Sequence, residues 1–381
     1  MKANWNYPTS VRFGAGRIAE LGAAAAELGM KRPLVVTDRG LAQSEILGRA
    51  LGALGRSARV FADVRGNPTE RNVLDGLEVY RAGGHDGVVA FGGGSGIDAG
   101  KAIALMAGQK RPLFDFVDEG DNWTRVDPAS LAPVIAAPTT AGTGSEVGRS
   151  SVVTDEASRI KKVIFHPRMM PAIVIADPEL TLGLPPRVTA AVGMDALSHA
   201  LEAYCCTMFH PMADGIAVEA MRLVKAWLPR AVSDGSDLEA RSHMLAAASM
   251  GAVAFQKGLG AMHAMSHPCS AIYDTHHGLT NAVLMPYVLA YNRPVVEEKL
   301  AQLARALALP APSFAAVFDW VLALRAEIGI PHTLAAIGVP ESAADALARA
   351  AEADPLTGLN PRPVGADDYA SLYRQALEGR L

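Results

Sequence analysis

Cysteine is scarce: three in 381 residues, with Cys205 and Cys206 adjacent, Cys269 alone and no CxxC spacing. That pattern argues against both a disulfide framework and a cysteine-ligated zinc site, and predicts reduced thiols in a cytoplasmic protein. Long apolar runs are also missing. No stretch of about 18 uninterrupted apolar residues occurs, so no bilayer-spanning segment is expected. The opening MKANWNYPTS has no apolar core of the kind a secretory leader needs. Charge of either sign is unremarkable, 35 basic against 39 acidic residues for a net −4, without a basic cluster. Neither nucleic acid nor a membrane surface is therefore expected as a partner. Two familiar phosphate-binding patterns, GxGxxG and GxxxxGK[ST], are absent as well.

What is present fits a globular enzyme. Half the residues are apolar and 19% charged, over a length that exceeds a single ordinary core. Short, nearly continuous apolar runs bounded by Gly, Pro, Asp or Asn recur through the first half: Pro33–Thr37, Ala58–Ala62, Gly87–Phe91, Pro133–Ala136 and Ile173–Ala176. Such runs read as parallel strands buried on both faces. Helical patterns separate them, including Arg17–Leu28 and Glu70–Ala82, the latter with Thr69 as its N-cap. After Asp177 a turn-rich segment ends in Pro185-Pro186, and from about Val188 onward Ala, Leu and Met recur at helical spacing. The chain thus reads as an α/β domain with a Rossmann-like parallel sheet, residues 1–183, followed by an all-helical domain, residues 184–381.

Two loops in the first half can hold a polyanionic ligand. Gly92-Gly93-Gly94-Ser95-Gly96 follows a strand and opens a helix, where free N–H groups attract a phosphate. Pro138-Thr139-Thr140-Ala141-Gly142-Thr143-Gly144-Ser145 follows the next strand and offers hydroxyls around two glycines. Two such loops at the carboxyl ends of parallel strands fit a nucleotide across the sheet. Asp38, ending another strand, either caps a helix or accepts hydrogen bonds from a ribose. Its charge repels a 2′-phosphate and so favours NAD over NADP.

The histidines carry the second pattern. Five of the ten are His199, His263, His267, His276 and His277. Asp195 and His199 lie four apart in GMDALSHALEAY, on one face of a helix, and His263 and His267 repeat that spacing. A carboxylate with several imidazoles suits Fe²⁺ or Zn²⁺ with a position left open for a substrate.

The segments GGGSGID, PTTAGTGSEV, DPEL…LPP, GMDALSHALEAY, MHAMSHP and HHGLTNAVLMP occur here in the order found in the iron-containing (group III) alcohol dehydrogenases. The chain resembles that family from about residue 10 to Asn360–Pro363, including the branch with 4-hydroxybutyrate dehydrogenases. The resemblance implies a dehydroquinate synthase-like architecture, with Asp195, His199, His263 and His277 as metal ligands and His267 as an unliganded catalytic histidine. For the NAD site it implies Asp38, Asn67, Gly94, Ser95, Thr139, Thr140, Thr143, Lys161 and Leu180, although spacing alone does not separate Lys161 from Lys162. It implies Fe²⁺, while the all-N/O ligand set would also take Zn²⁺. A homodimer or larger homo-oligomer is expected on the same ground.

The implied reaction is NAD-dependent oxidation of a primary alcohol to an aldehyde, and its reverse. A divalent cation lowers the pKa of an alcohol oxygen that is otherwise far too weak an acid at neutral pH. GSEVGRS and AFQKGLG, the segments that look like the 4-hydroxybutyrate dehydrogenase branch, put Arg149, Ser150, Phe255 and Lys257 close to where the family builds its substrate pocket. A cation there, Arg149 or Lys257, suits the carboxylate of an ω-hydroxy acid such as 4-hydroxybutyrate. The competing expectations are a hydroxyacid–oxoacid transhydrogenase that keeps NAD bound, a lyase like dehydroquinate synthase, and a metallohydrolase without a nucleotide. Arg149 and Lys257 also fit as plain surface or interdomain charges.

Overall fold

The structure, a computed structural model, describes residues 8–55 and 58–381. Segment 1–7, which holds most of the opening read for a leader and the start of the first expected domain, lies outside the described residues. Two compact units emerge. One contains the described residues up to Thr140 together with Gly144–Gly183, and the other contains Ala141–Thr143 and Leu184–Leu381.

The first unit runs β1 (Ser10–Phe13), α1 (Leu21–Glu27), β2 (Pro33–Asp38), α2 (Glu45–Leu54), β3 (Arg59–Val64), α3 (Glu70–Ala82), β4 (Gly87–Gly92), α4 (Gly94–Met106), β5 (Val134–Pro138), β6 (Ser150–Asp155), β7 (Ile160–Phe165) and β8 (Ile173–Ala176). Six strands form one parallel sheet in the order β1-β8-β5-β4-β2-β3. The strands were legible because both faces are covered. In β2, β4 and β5 alternate residues feed opposite cores. Leu34, Val36, Val88, Ala90, Val134 and Ala136 pack with Val73, Leu77 and Ile103. Val35, Val89, Phe91, Ile135 and Ala137 pack with Leu21, Leu47 and Leu54 on the other side. Full burial of a side chain such as Phe91 contributes roughly 1.5–3 kcal/mol.

Local signals set several boundaries. Thr69 caps α3 through a capping box with Asn72, and its Oγ1 accepts from the Asn72 backbone N–H. Other boundaries differ from the sequence expectation. The expected helix from Arg17 opens as a 3₁₀ turn over Arg17–Glu20 before α1, and β3 starts one residue later than expected. Strand β1 and the antiparallel hairpin β6–β7 are additions to it. β1 is a four-residue edge strand whose apolar Val11 and Phe13 remain partly exposed, so it exists through pairing with β8 rather than through a buried run.

The second unit is helical: α5 (Pro186–Cys205), α6 (Pro211–Ser233), α7 (Leu238–Ala254), α8 (Ala261–Tyr273), α9 (His277–Ala306), α10 (Phe314–Glu327), α11 (Ala344–Glu352) and α12 (Ala366–Glu378). α5 is buried on every side from Thr189 to Cys205, which makes it the central helix of this unit. Small residues let its neighbours approach. A Cβ on Gly278, the second residue of α9, would lie 2.6 Å from the Ala191 carbonyl oxygen and 2.8 Å from the Asp195 Cβ. Gly278 therefore permits the start of α9 to press against α5 at the level of Asp195.

Candidate functional site

The sheet reverses its winding between β2 and β4. β2 leads outward to β3, while β4 returns to the opposite side of β2 and continues to β5. Loops at the carboxyl ends of β2, β4 and β5 are brought together there. In register, Gly92 faces Pro138, and the Thr139 N–H donates to the Gly92 carbonyl at 2.9 Å. A Cβ on Gly92, whose φ is +153°, would come within 3.8 Å of an Asp38 carboxylate oxygen.

α4 begins at Gly94 with Gly93 as its N-cap and no capping side chain, so its first N–H groups are not capped by the protein. A Cβ on Gly93 would come within 3.2 Å of Thr140, so the glycine keeps a small cradle open over that hydroxyl. These observations fit a dinucleotide phosphate. Ser95 Oγ donates to the Gly66 carbonyl, next to Asn67 in the turn before α3. Asp38 Oδ1 accepts from the Leu41 N–H at 3.0 Å, so it serves a local turn as well. Thr139 is buried, and Leu180 lies in the core on the α1/α2 side of the sheet. Thr143 belongs to the helical unit, three residues from Thr140.

The structure separates the two lysines of β7. Lys162 pairs with Asp155 at 2.9 Å and stacks over Phe114. Lys161, the preceding residue of the strand, points to the other face. Beneath the threonine loop, buried Asp98 accepts from Ser145 Oγ and from the Val152 N–H at 3.0 Å, while Lys101 Nζ donates to the Ser145 carbonyl at 2.8 Å. Sequence reasoning missed this brace, though Asp98 and Lys101 are an i,i+3 pair at the start of α4.

In the helical unit, Asp195, His199, His263 and His277 come together: one ligating atom from each lies within 4.8 Å of all the others. Asp195 and His199 stand on α5, His263 on α8, and His277 is the first residue of α9. His277 Nε2 is 3.8 Å and His199 Nε2 is 4.0 Å from Asp195 Oδ1. Donors around one ion with bonds of about 2.1 Å stand roughly 3.4 Å apart, so these gaps are about half an ångström wide. Between them sits a single amide. Asn281 Nδ2 is 3.0 Å from Asp195 Oδ1 and 3.2 Å from the Nε2 atoms of both His263 and His277. Two N–H groups cannot satisfy three converging lone pairs. A cation can, and the donor set fits one.

The electrostatics agree. Burial holds the His199 imidazole down to about 4, only partly opposed by Asp195, so it is neutral at physiological pH as a ligand must be. His263 Nδ1 donates to Glu202 Oε2 at 2.6 Å, which leaves Nε2 as the lone-pair atom facing Asn281. Glu202 is fixed in turn by the Met262 N–H at 2.7 Å. Ser266 Oγ lies 3.1 Å from His277 Nδ1. Glu202, Ser266 and Asn281 went unnoticed in the sequence, although the signal existed. They fall seven, three and four residues after Asp195, His263 and His277, on the same helical faces. His276 caps α9, its Nδ1 accepting from the Leu279 N–H at 3.3 Å.

His267 stays outside the four-donor group. Its ring stacks on His277 at 5.6 Å, and its Nδ1 lies 2.8 Å from Asp354 Oδ2. Of the substrate candidates, Phe255 presents its ring to His199 at 5.1 Å. Lys257 is 1% exposed, bound to the Tyr204 carbonyl at 3.1 Å and paired with Asp214 at 2.5 Å. Arg149 sits over the Phe165 ring at 5.5 Å, and Ser150, opening β6, offers its carbonyl to Lys101. No helix among the described residues is long and apolar enough to cross a membrane.

Comparison with known proteins bears directly on both sites. Residues 8–178 match the family of iron-containing alcohol dehydrogenases, and residues 189–377 match the C-terminal domain of the Fe-containing alcohol dehydrogenase family. A 4-hydroxybutyrate dehydrogenase from Cupriavidus necator is 39% identical, over 97% of this chain and 99% of its own. The solved structure of a 1,3-propanediol oxidoreductase superposes with a TM-score of 0.93 at 36% identity, covering 98% of this chain and 100% of that one. A sulfoacetaldehyde reductase from Bifidobacterium kashiwanohense, solved in complex with NAD⁺, gives a TM-score of 0.89 at 30% identity, covering 99% of each chain.

Proposed function

The chain belongs to the iron-containing alcohol dehydrogenase family, and from that membership we propose that it interconverts a primary alcohol and its aldehyde with NAD, using an ω-hydroxy acid such as 4-hydroxybutyrate or a short alcohol. The observation that carries this reading is the convergence of Asp195, His199, His263 and His277 in one unit of a chain whose other unit opens a helix at a glycine loop.

Each group has a task in this scheme. Asp195, His199, His263 and His277 would hold a divalent ion, which would supply Lewis acidity toward the alcohol or carbonyl oxygen. Glu202 and Ser266 orient His263 and His277. Gly94 and Ser95 at the start of α4, with Asn67, Thr139, Thr140, Thr143, Lys161 and the Leu180 turn, bind NAD, and Asp38 takes the adenosine ribose. Oxidation of an alcohol releases a hydride equivalent and a proton. A bound NAD⁺ would supply the hydride acceptor, and His267, which lies outside the donor set with its ring stacked on His277, carries the proton.

Two relatives are named for anionic substrates, 4-hydroxybutyrate and sulfoacetaldehyde. Of the two cations that could meet a substrate anion, Lys257 is buried and bonded to Asp214 and the Tyr204 carbonyl, so Arg149 takes that role here. The test compares kcat/KM for 4-hydroxybutyrate and 1-butanol by NADH absorbance, using protein loaded with Fe²⁺ or Zn²⁺. A preference for the acid that disappears in Arg149→Leu supports the anionic substrate. Equal use of both alcohols discards it, and no NADH from any alcohol discards the dehydrogenase.

A further inference from the structure

α8 carries two histidines four residues apart, and each has its Nδ1 against a carboxylate from elsewhere in the helical unit. For His263 the partner is Glu202, and the Nε2 lone pair meets the Asn281 amide within the donor cluster. For His267 the partner is Asp354, and its Nε2 is not a member of that cluster. We propose that Asp354 is the positioning residue of His267, fixing the proton on Nδ1 so that every proton the ring takes up or gives away passes through Nε2.

The geometry leaves one tautomer. At 2.8 Å a bare Nδ1 lone pair would face a carboxylate oxygen, acceptor against acceptor, so Nδ1 carries the hydrogen whether the ring is neutral or cationic. The carboxylate cannot easily turn away. Asp354 Oδ1 accepts from the Leu356 N–H at 2.9 Å, which makes it the N-cap of the 3₁₀ turn Pro355–Leu359. Its backbone is tied at both ends: its N–H donates to the Ala351 carbonyl at 3.1 Å, and its carbonyl accepts from the Thr357 N–H at 3.0 Å. Both side chains are largely enclosed, 14% exposed for His267 and 11% for Asp354, so water competes weakly for the bond. Among the described residues Asp354 is the charged group bonded to this ring, and the ring stacks on His277.

The catalytic consequence rests on the dehydrogenase reading; the tautomer does not. When the alcohol is oxidised, with a bound NAD⁺ as the group that would accept the hydride, Nε2 takes the hydroxyl proton. The resulting imidazolium is paired with the Asp354 carboxylate, and the proton passes to solvent as the aldehyde leaves. In reduction the same proton returns from Nε2 to the carbonyl oxygen. A ring in the Nε2–H tautomer cannot accept the proton at Nε2, so only the Nδ1–H fraction is competent in the forward direction.

Asp354→Asn is the informative variant, because asparagine keeps the cap on Leu356 while removing the charge and the obligatory acceptor. Two measurements use full-length Zn²⁺-loaded protein. Long-range ¹H–¹⁵N spectra of the histidine rings should show His267 as Nδ1–H in the wild type and as a tautomer mixture in Asp354→Asn, with Asp354→Glu restoring the single form. Steady-state kinetics should show kcat falling about ten- to hundredfold in Asp354→Asn, with KM for NAD about unchanged and a larger solvent deuterium isotope effect. An unchanged tautomer in Asp354→Asn, or kcat equal to wild type with the mixture present, overturns the proposal. Should wild-type protein oxidise no alcohol, the dehydrogenase reading falls, and the ring spectra still decide what Asp354 does.

Discussion

The two candidate sites are built by opposite means. In the α/β unit the candidate site starts from backbone, the start of α4 with no capping side chain and the glycines before it, with hydroxyls and the Asp38 carboxylate beside them. In the helical unit the candidate groups are side chains drawn from α5, α8 and α9, and the second nitrogens of His263, His277 and His267 each meet a polar partner. A backbone site tolerates side-chain substitution and discriminates by shape and by the occasional charge. A side-chain site concentrates its energy in a few atoms, so each of them is costly to lose.

That contrast orders the predictions. The largest effect belongs to Asp195→Asn, which removes the carboxylate of the donor set: bound metal in purified protein should drop to a trace and alcohol oxidation by about a thousandfold or more. NAD binding by titration calorimetry should survive, and its loss would mean that the two sites are not separable. Next comes Glu202→Gln. The amide no longer holds a proton on His263 Nδ1 as firmly, and Zn²⁺ affinity measured against a competing chelator should fall about ten- to hundredfold.

A shift in the other unit should be smaller and different in kind. Asp38→Ala removes the charge that opposes a 2′-phosphate, so the ratio of kcat/KM with NADP to that with NAD should rise about tenfold while metal content stays constant. An unchanged ratio would confine Asp38 to the local turn with Leu41.

The smallest effect concerns the metal-free protein. His199 in the fold resists protonation down to about 4, whereas the unfolded chain takes up that proton near the ordinary histidine value. The stabilising contribution is therefore complete above about pH 6.5 and is lost as pH falls toward 4. Thermal melts of apoprotein should show that decline, and metal loading should steepen it, because protons then compete with the ion. A melting temperature flat across this range would contradict the burial of His199.

Legibility followed the same division. The strands β2, β4, β5 and β8 were visible because burial on both faces writes a continuous apolar run, and α3 because its cap is local. The hairpin β6–β7 was overlooked because neither SSVVTD nor IKKVIF shows a continuous apolar run or a strict apolar–polar alternation. Lys257 shows the limit on the functional side. Its residue type suited an anion, but its carboxylate partner Asp214 stands on α6, 43 residues away, and no local pattern announces the pair.

By itself the sequence determined the kinds of chemistry available: a helix start free of capping side chains, a carboxylate and imidazoles at helical spacing, and thiols with no metal pattern. Those follow from periodicity and residue type, which act over a few positions along the chain. Only the tertiary structure decided which nitrogen of each ring is free, because that depends on partners such as Glu202 and Asp354, 61 and 87 residues distant. Hydrogen bonds are short-ranged and directional, so the atom that does the chemistry is chosen where the chain folds back on itself.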